Sequence, residues 1–234
     1  MKALLQSRER PVSGIRGATG RRGRIAGRDG FSLMELLVVI NIAAYMLWLS
    51  LSPLFSLTSA YCVSEAAAAI SSAIERGRSE AVNRRTYVWL LLQEENNQQL
   101  RGVRIGLVAS GDGSANTNAS NLIPLGKTTL CKGVGFADEA IASLNLGATN
   151  RILLPDCTQG LSSRVGTTTF VQGRSVTFQP QGEATTNATP SDSSGFDPMI
   201  VIPLREAHGT TLYAGNDAAV VIDGSVGMPL VYRQ

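Results

Sequence analysis

From Leu36 to Ser64 the chain runs for 29 positions without a charged residue. No other feature narrows the possible folds as much. As a helix at about 1.5 Å per residue, the Leu36–Leu57 part would be ~33 Å long. A bilayer's hydrocarbon core is about 30 Å thick. Asn41 and Pro53 are the only breaks in its apolar character. Proline bends such a helix in lipid but need not end it, because local adjustments re-satisfy the freed backbone groups. The expectation is therefore one transmembrane helix over 31–57.

Charge is distributed unevenly around that run. Residues 1–30 carry eight basic residues, seven of them arginine, against Glu9 and Asp29, a net of +6. The whole chain is +3, so residues 31–234 come to −3. Basic flanks stay on the cytoplasmic side of a membrane, which places the region after the helix outside the inner membrane. The basic balance belongs to the leader and is poor evidence for nucleic-acid binding by the rest.

A secretory signal peptide has an apolar core of about 7–15 residues followed by a small-residue cleavage site. Here the core is longer, and the small residue, Gly30, comes before it. Cleavage between Gly30 and Phe31 would remove the basic leader and keep the apolar segment. Glu35 would then lie at i+4 from a new N-terminal amine. An acid in hydrocarbon is costly unless paired, and is functional by default. Within one chain the amine is only loosely reached. Between staggered neighbours, the amine of one can meet Glu35 of the next and so select one register. The plainer reading is a signal anchor whose glutamate snorkels to the interface.

The stretch "GFSLMELLVVI", Gly30 to Ile40, resembles the processing motif of type IV prepilins and type II secretion pseudopilins. The resemblance implies that a membrane prepilin peptidase cuts after Gly30, that Phe31 becomes the methylated N-terminus, and that Glu35 guides assembly. The leader is longer than most in that family, and "NIAAYMLWLSLSP" is less uniform than its usual alanine-isoleucine run.

Beyond the apolar run, Val63, Ala66, Ala67, Ile70, Ile74, Gly77 and Ala81 recur in steps of three and four, one face of a helix. Glu80 and Arg84 are placed to pair at i,i+4. A single helix is expected from near Leu33 to about Arg84. Arg76, Arg78, Arg84 and Arg85 read as a solvated helix face, or else as an anion or partner site. From Tyr87 the period shifts toward two. Strands are expected in "TYVWLLLQ", "VRIGLVAS", "NRILLP", "GTTTFVQG", "SVTFQPQG", "MIVIPLREA", "TLYAG" and "AAVVIDGSVGMPLVYR", the last with an Asp223-Gly224 hairpin signal. "QEENNQQ", "SGDGSANTNASN" and "GEATTNATPSDSSGFD" read as connectors. The expected fold class is α+β: a long N-terminal transmembrane helix continuing into a β-rich head, an antiparallel sheet or sandwich, pilin-like in form. Its parts are a leader over 1–30, the transmembrane helix over 31–57, the periplasmic half of the helix over 58–85 and the head over 86–234.

The head also resembles H-type minor pseudopilins, through "IERGRSEAVNRRTYVWLLL" and through Phe178, Pro180 and Gly182 of "SVTFQPQGEA". Some pilus relatives bind DNA through a final Gly-Arg-x-Arg segment. The matching stretch here is Gly224-Ser225-Val226-Gly227, without arginine, and no nucleic-acid partner is expected.

Three cysteines are present. In an oxidising compartment, Cys131 and Cys157 are a possible disulfide worth about 3 kcal/mol by loop entropy; the alternative is two separate buried thiols. Cys62 reads as a small helix-packing residue. His208 is the single histidine, and "REAHGTT" lacks a nucleophile-elbow context. "GDGSANTN" sets oxygens at alternate positions, Asp112, Ser114, Asn116 and Asn118, but lacks the glycine and distal glutamate of an EF-hand loop. No enzyme activity, cofactor or metal is expected.

The residues thus point to a minor pseudopilin of a type II secretion system, in the inner membrane with its head in the periplasm. Its expected partners are other pilins or pseudopilins, the prepilin peptidase and secreted proteins. The alternatives are a minor type IV pilin, or an uncleaved, membrane-anchored periplasmic binding module.

Overall fold

A computed structural model describes residues 32–97, 100–137, 144, 151–154, 161, 163–171, 174–190 and 195–233, with side chains of 50–60 excepted. Contacts divide the chain into two units, Met1–Leu49 and Ser50–Gln234. One helix, α1 (Leu33–Arg84), is described. In the second unit its residues Val63, Ala66, Ala67, Ile70, Ile74 and Ala81 are all buried. The steps of three and four that mark this face place small and aliphatic side chains at its positions. Gly77 completes it, since a Cβ there would lie 3.0 Å from the Phe178 ring.

The helix ends in a Schellman turn. Thr86 N–H donates to Ala81 O (3.1 Å) and Arg85 N–H to Val82 O (3.3 Å). Arg85 sits at the left-handed position with φ 51°, where glycine is the usual occupant. Its side chain is exposed. Arg85→Gly is expected to raise stability by about 0.5–1 kcal/mol, seen as a higher urea midpoint; Arg85→Val lowers it.

The strands form two main sheets. The first contains β1 (Val88–Asn97), β2 (Leu100–Ser110), β3 (Leu122–Pro124) and β4 (Thr129–Lys132). The second begins with β5 (Val134–Gly135) and β6 (Ile152–Leu153). A small hairpin joins β7 (Ser163–Val165) to β8 (Thr168–Phe170). Then β9 (Arg174–Phe178) and β10 (Ala184–Thr185) return to the first sheet. Finally β11 (Met199–His208), β12 (Thr211–Asp223) and β13 (Met228–Arg233) complete the second. The first sheet has the order β10-β9-β1-β2-β3, with β4 also on β2. The second has the order β13-β12-β11-β5, with β6 parallel to β11.

Gly133 (φ 73°) links the two. Its N–H donates to Arg101 O and its carbonyl accepts from Ala207 N–H, each at 2.9 Å. The inner faces of both sheets and the buried face of α1 form one core, with Leu90, Ile105, Phe178, Ile202 and Val220 among its members. On the other face of the first sheet Trp89, Val108 and Phe170 make a second cluster. There the indole Nε1–H donates to Ala188 O at 2.8 Å.

The expected fold class needs correction. Strands supply most of the elements, and among the described residues no helix is long and apolar enough to cross a membrane. The α+β, pilin-like reading built on a transmembrane helix over 31–57 is therefore overturned. The physical reason lies along α1. Its described apolar run, residues 33–49, rises only about 25 Å, short of a ~30 Å hydrocarbon core. The sequence that follows brings in Ser50, Ser52, Pro53, Ser56, Thr58 and Ser59. By Val63 the helix is burying its apolar face against strands.

Several strand expectations also change. "TLYAG" and "AAVVID" are one strand, β12, continuous through Gly215, Asn216 and Asp217. "QEENNQQ" is mostly strand rather than connector, since β1 runs to Asn97. The last hairpin forms, but its left-handed residue is Gly227 (φ 68°), not Gly224. Asp223 closes the turn, its Oδ1 accepting from Ser225 N (3.0 Å) and Ser225 Oγ (2.6 Å). Those bonds hold its carboxyl below the usual range.

Candidate functional site

Within the first unit, Glu35 lies in the first turn of α1. Leu36 N–H donates to Ser32 O at 3.1 Å, so the helical turn closes directly beside the acid. A carboxylate there opposes the positive end of the helix dipole. Asn41 turns its Nδ2 back to Leu37 O at 2.9 Å, which satisfies an amide donor within the helix itself. Gly30 and Phe31 lie outside the described residues.

Every residue from Ser32 to Leu49 is exposed. Leu33 is 80%, Leu47 66% and Trp48 67% exposed. A helix apolar on all sides is normally buried in something, and contiguous exposed apolar surface marks an interaction surface. Glu35 is the single ionisable carboxylate on that surface. The geometry offers an apolar rod with one acid at its start, a form suited to side-by-side association.

The second unit carries polar groups that are already committed. Arg205 and Asp217 face each other across β11 and β12. They make a buried two-pronged pair, Nε to Oδ1 at 2.8 Å and Nη2 to Oδ2 at 2.9 Å. Glu94 pairs with Arg101 and Glu95 with Arg104 along the β1–β2 hairpin. Glu80 pairs with Arg84 on the helix at 2.6 Å, as the spacing implied. His208 ends β11 with Nε2 against Glu206 and its ring edge-on to Tyr213, 4.9 Å between centroids. Among the described residues, no group of three His, Cys, Asp or Glu is placed to hold a metal ion.

The "GDGSANTN" loop uses its oxygens on itself. Asp112 Oδ1 accepts from Ser110 Oγ (2.9 Å), Ser114 N (2.9 Å), Ser114 Oγ (2.7 Å) and Asn121 Nδ2 (2.8 Å). Ser114 and the other donors hold its carboxyl far below the ordinary range. Asn116 Oδ1 accepts from Asn118 N at 3.0 Å. The alternating pattern therefore builds successive turns, each side chain capping the main chain two residues on.

Cys131 is a buried free thiol on β4, and Cys157 lies outside the described residues. Burial, with the Glu65 charge adding, pushes the Cys131 thiol up to about 11. Cys62, half-buried on α1, is raised by burial first and then by Glu65 and Glu206. Both thiols stay protonated and poorly nucleophilic near neutral pH.

One candidate belongs to the arginine cluster that read as a solvated helix face or else as an anion or partner site. Arg78 borders a cleft of about 150 Å³ together with Glu75, Gly227, Met228 and Pro229. Its Nε is buried and has no hydrogen-bond partner among the described residues. The glycines that hold it lie more than a hundred residues downstream, so no local motif announces the arrangement. No family model, characterised protein or solved structure matches the chain.

Proposed function

We propose that the chain is a structural assembly subunit, a minor pseudopilin of a type II secretion system. In this reading the prepilin peptidase cuts after Gly30, Phe31 becomes the methylated N-terminus, and the mature chain assembles with other pilins or pseudopilins through its N-terminal apolar segment. It is held at the inner membrane with the head in the periplasm, where secreted proteins are the further partners. The observation that carries the proposal is the segment from Ser32 to Leu49. It is helical from Leu33, apolar and exposed on every side, with Glu35 as its one acid. Such a surface requires cover from other molecules, and the acid requires a counter-ion once covered. The amine freed at Phe31 supplies that charge.

Intact-mass spectrometry of the chain extracted from the membrane fraction tests this. The expected species begins at Phe31 and carries one additional methyl group. A chain that retains residues 1–30 in its functional state removes the proposal and leaves the anchored binding module.

A further inference from the structure

We propose that a notch at the edge of the first sheet, walled by Arg76 of α1 and by Lys127, binds the dianionic oxyanion of a phosphate group. The inference does not depend on the assembly reading. The notch exists because β2 changes partners along its length. β3 pairs with residues 108–110 and β4 with residues 102–105, so Gly106 and Leu107 fall between the two. The connection over 125–128 crosses that interval, with Leu125 N–H donating to Leu107 O at 2.9 Å. Ala69 and Ala73 of α1 face it with side chains too short to fill it. The result is a pocket of about 120 Å³, whose polar wall is made by Ser72, Arg76, Lys127 and Thr129.

Gly126 decides where the arginine sits. Its φ of 103° belongs to a backbone region that favours glycine. A Cβ there would lie 3.1 and 3.2 Å from the two Arg76 Nη atoms. The guanidinium therefore rests on the bare glycine, whose neighbours in sequence, Leu125 and Lys127, both line the pocket. Terminal N–H donors, and not the arginine stem alone, stand at the wall.

Charge in the pocket is of one sign. Two cations and two hydroxyls line it, and no carboxylate does. The nearby acids are turned to other groups: Glu80 pairs with Arg84 and Glu95 with Arg104, while Glu75 lines the separate Arg78 cleft. Among the described residues neither Arg76 nor Lys127 takes part in an ion pair. Like charges on one small wall repel, and an anion between them offsets that cost. The guanidinium, the ammonium and the two hydroxyls supply more donors than the two oxygens of a carboxylate can use. A phosphate group offers three or more acceptor oxygens and a charge near −2, which matches both the donors and the two cations. Arg76 and Lys127 are exposed, so binding is expected to be weak and salt-sensitive. A free phosphate ion and the terminal phosphate of an organic monoester share this chemistry.

The test uses the full chain in detergent, labelled with ¹⁵N-lysine. The sequence has three lysines, Lys2, Lys127 and Lys132. Three backbone amide signals are therefore read, and Lys127→Arg identifies the one at the pocket while keeping its charge. The probes are sodium phosphate, glycerol 3-phosphate, sodium acetate and sodium chloride at equal ionic strength and a pH of about 7.5, where phosphate esters are dianions. Phosphate is expected to shift the Lys127 signal saturably, at concentrations about tenfold or more below those acetate needs, with Lys132 unmoved. Arg76→Ala, at an exposed helix position, is expected to weaken that binding about tenfold or more. Arg85→Gly removes an equal charge outside the pocket and is expected to change it about twofold or less. Fluorescence of the buried Trp89 reports that both variants remain folded. Saturation by inorganic phosphate alone assigns a free ion; saturation by glycerol 3-phosphate as well assigns a site that accepts a monoester. A shift that fails to saturate, acetate as tight as phosphate, an equal shift of Lys132, or equal losses from Arg76→Ala and Arg85→Gly overturns the site.

Discussion

Glu35→Ala is expected to leave cleavage after Gly30 intact and to reduce co-purification of partner pilins at least about tenfold, the factor that 1.4 kcal/mol represents. In the proposed reading the peptidase acts at Gly30–Phe31, on the N-terminal side of the acid, and alanine is a better helix former than glutamate. The helix start is therefore preserved. What is lost is a charge on a surface that has no other acid between Ser32 and Leu49. In an isolated chain that charge is exposed and needs no partner. Once neighbouring segments cover it, the carboxylate is desolvated, and only a nearby cation offsets several kcal/mol. In the proposed assembly the amine of an adjacent processed chain does so in one axial stagger. Glu35→Gln separates charge from shape: it keeps the side chain's length and hydrogen bonding but not its ionic partner. Both variants should lose partners to a similar extent. Normal partner recovery with either one would show that apolar contact alone holds the subunits together.

How much of this arrangement was legible follows from which residues carry local information. The helix face from Val63 to Ala81 was plain because each inward position is small or aliphatic and the period is 3.6. Val88, Leu90 and Leu92 of β1 enter the main core while Trp89 and Leu91 enter the second cluster, so both faces are buried. Period-two alternation is absent there, and the strand shows instead as a continuous apolar run. By contrast β5 and β10, two residues each, carry no periodicity that could announce them, whereas β6 (Ile152–Leu153) falls within the expected strand "NRILLP". They exist because longer strands offer free edges nearby. The extent of the apolar segment was misread for another reason. A count of uncharged positions treats the serines and Thr58 as equal to leucine, whereas transfer to hydrocarbon does not. Arg78 illustrates the limit on the site side. Its arginine-rich neighbourhood suggested a solvated face or else an anion or partner site, and only the fold brings Gly182 and Gly227 against it.

Asp217→Ala should be the most damaging single change in the head, lowering stability by about 3–5 kcal/mol, the usual result of stranding one member of a buried ion pair. Asp217 is 2% exposed and Arg205 9%. The two sit directly opposite on β11 and β12, adjacent to the register shift between Arg205 and Ala207. Removing the carboxylate takes both Asp217 acceptors from a buried guanidinium. The sequence does not reveal this, since "LREAH" and "GNDAAV" each look like solvent-facing strand ends. The fold turns them inward because β12 continues without a break through Gly215, Asn216 and Asp217. If the loss comes from the uncompensated charge, Arg205→Met combined with Asp217→Leu should recover most of it, because well-packed apolar replacements of a buried pair are often neutral or stabilising. Urea titration followed by fluorescence of the fully buried Trp89 measures both. A double variant as unstable as the single one would mean that the strands need this pair for its geometry, with Arg205 and Asp217 acting as the staple that sets the β11–β12 register beside the bulge.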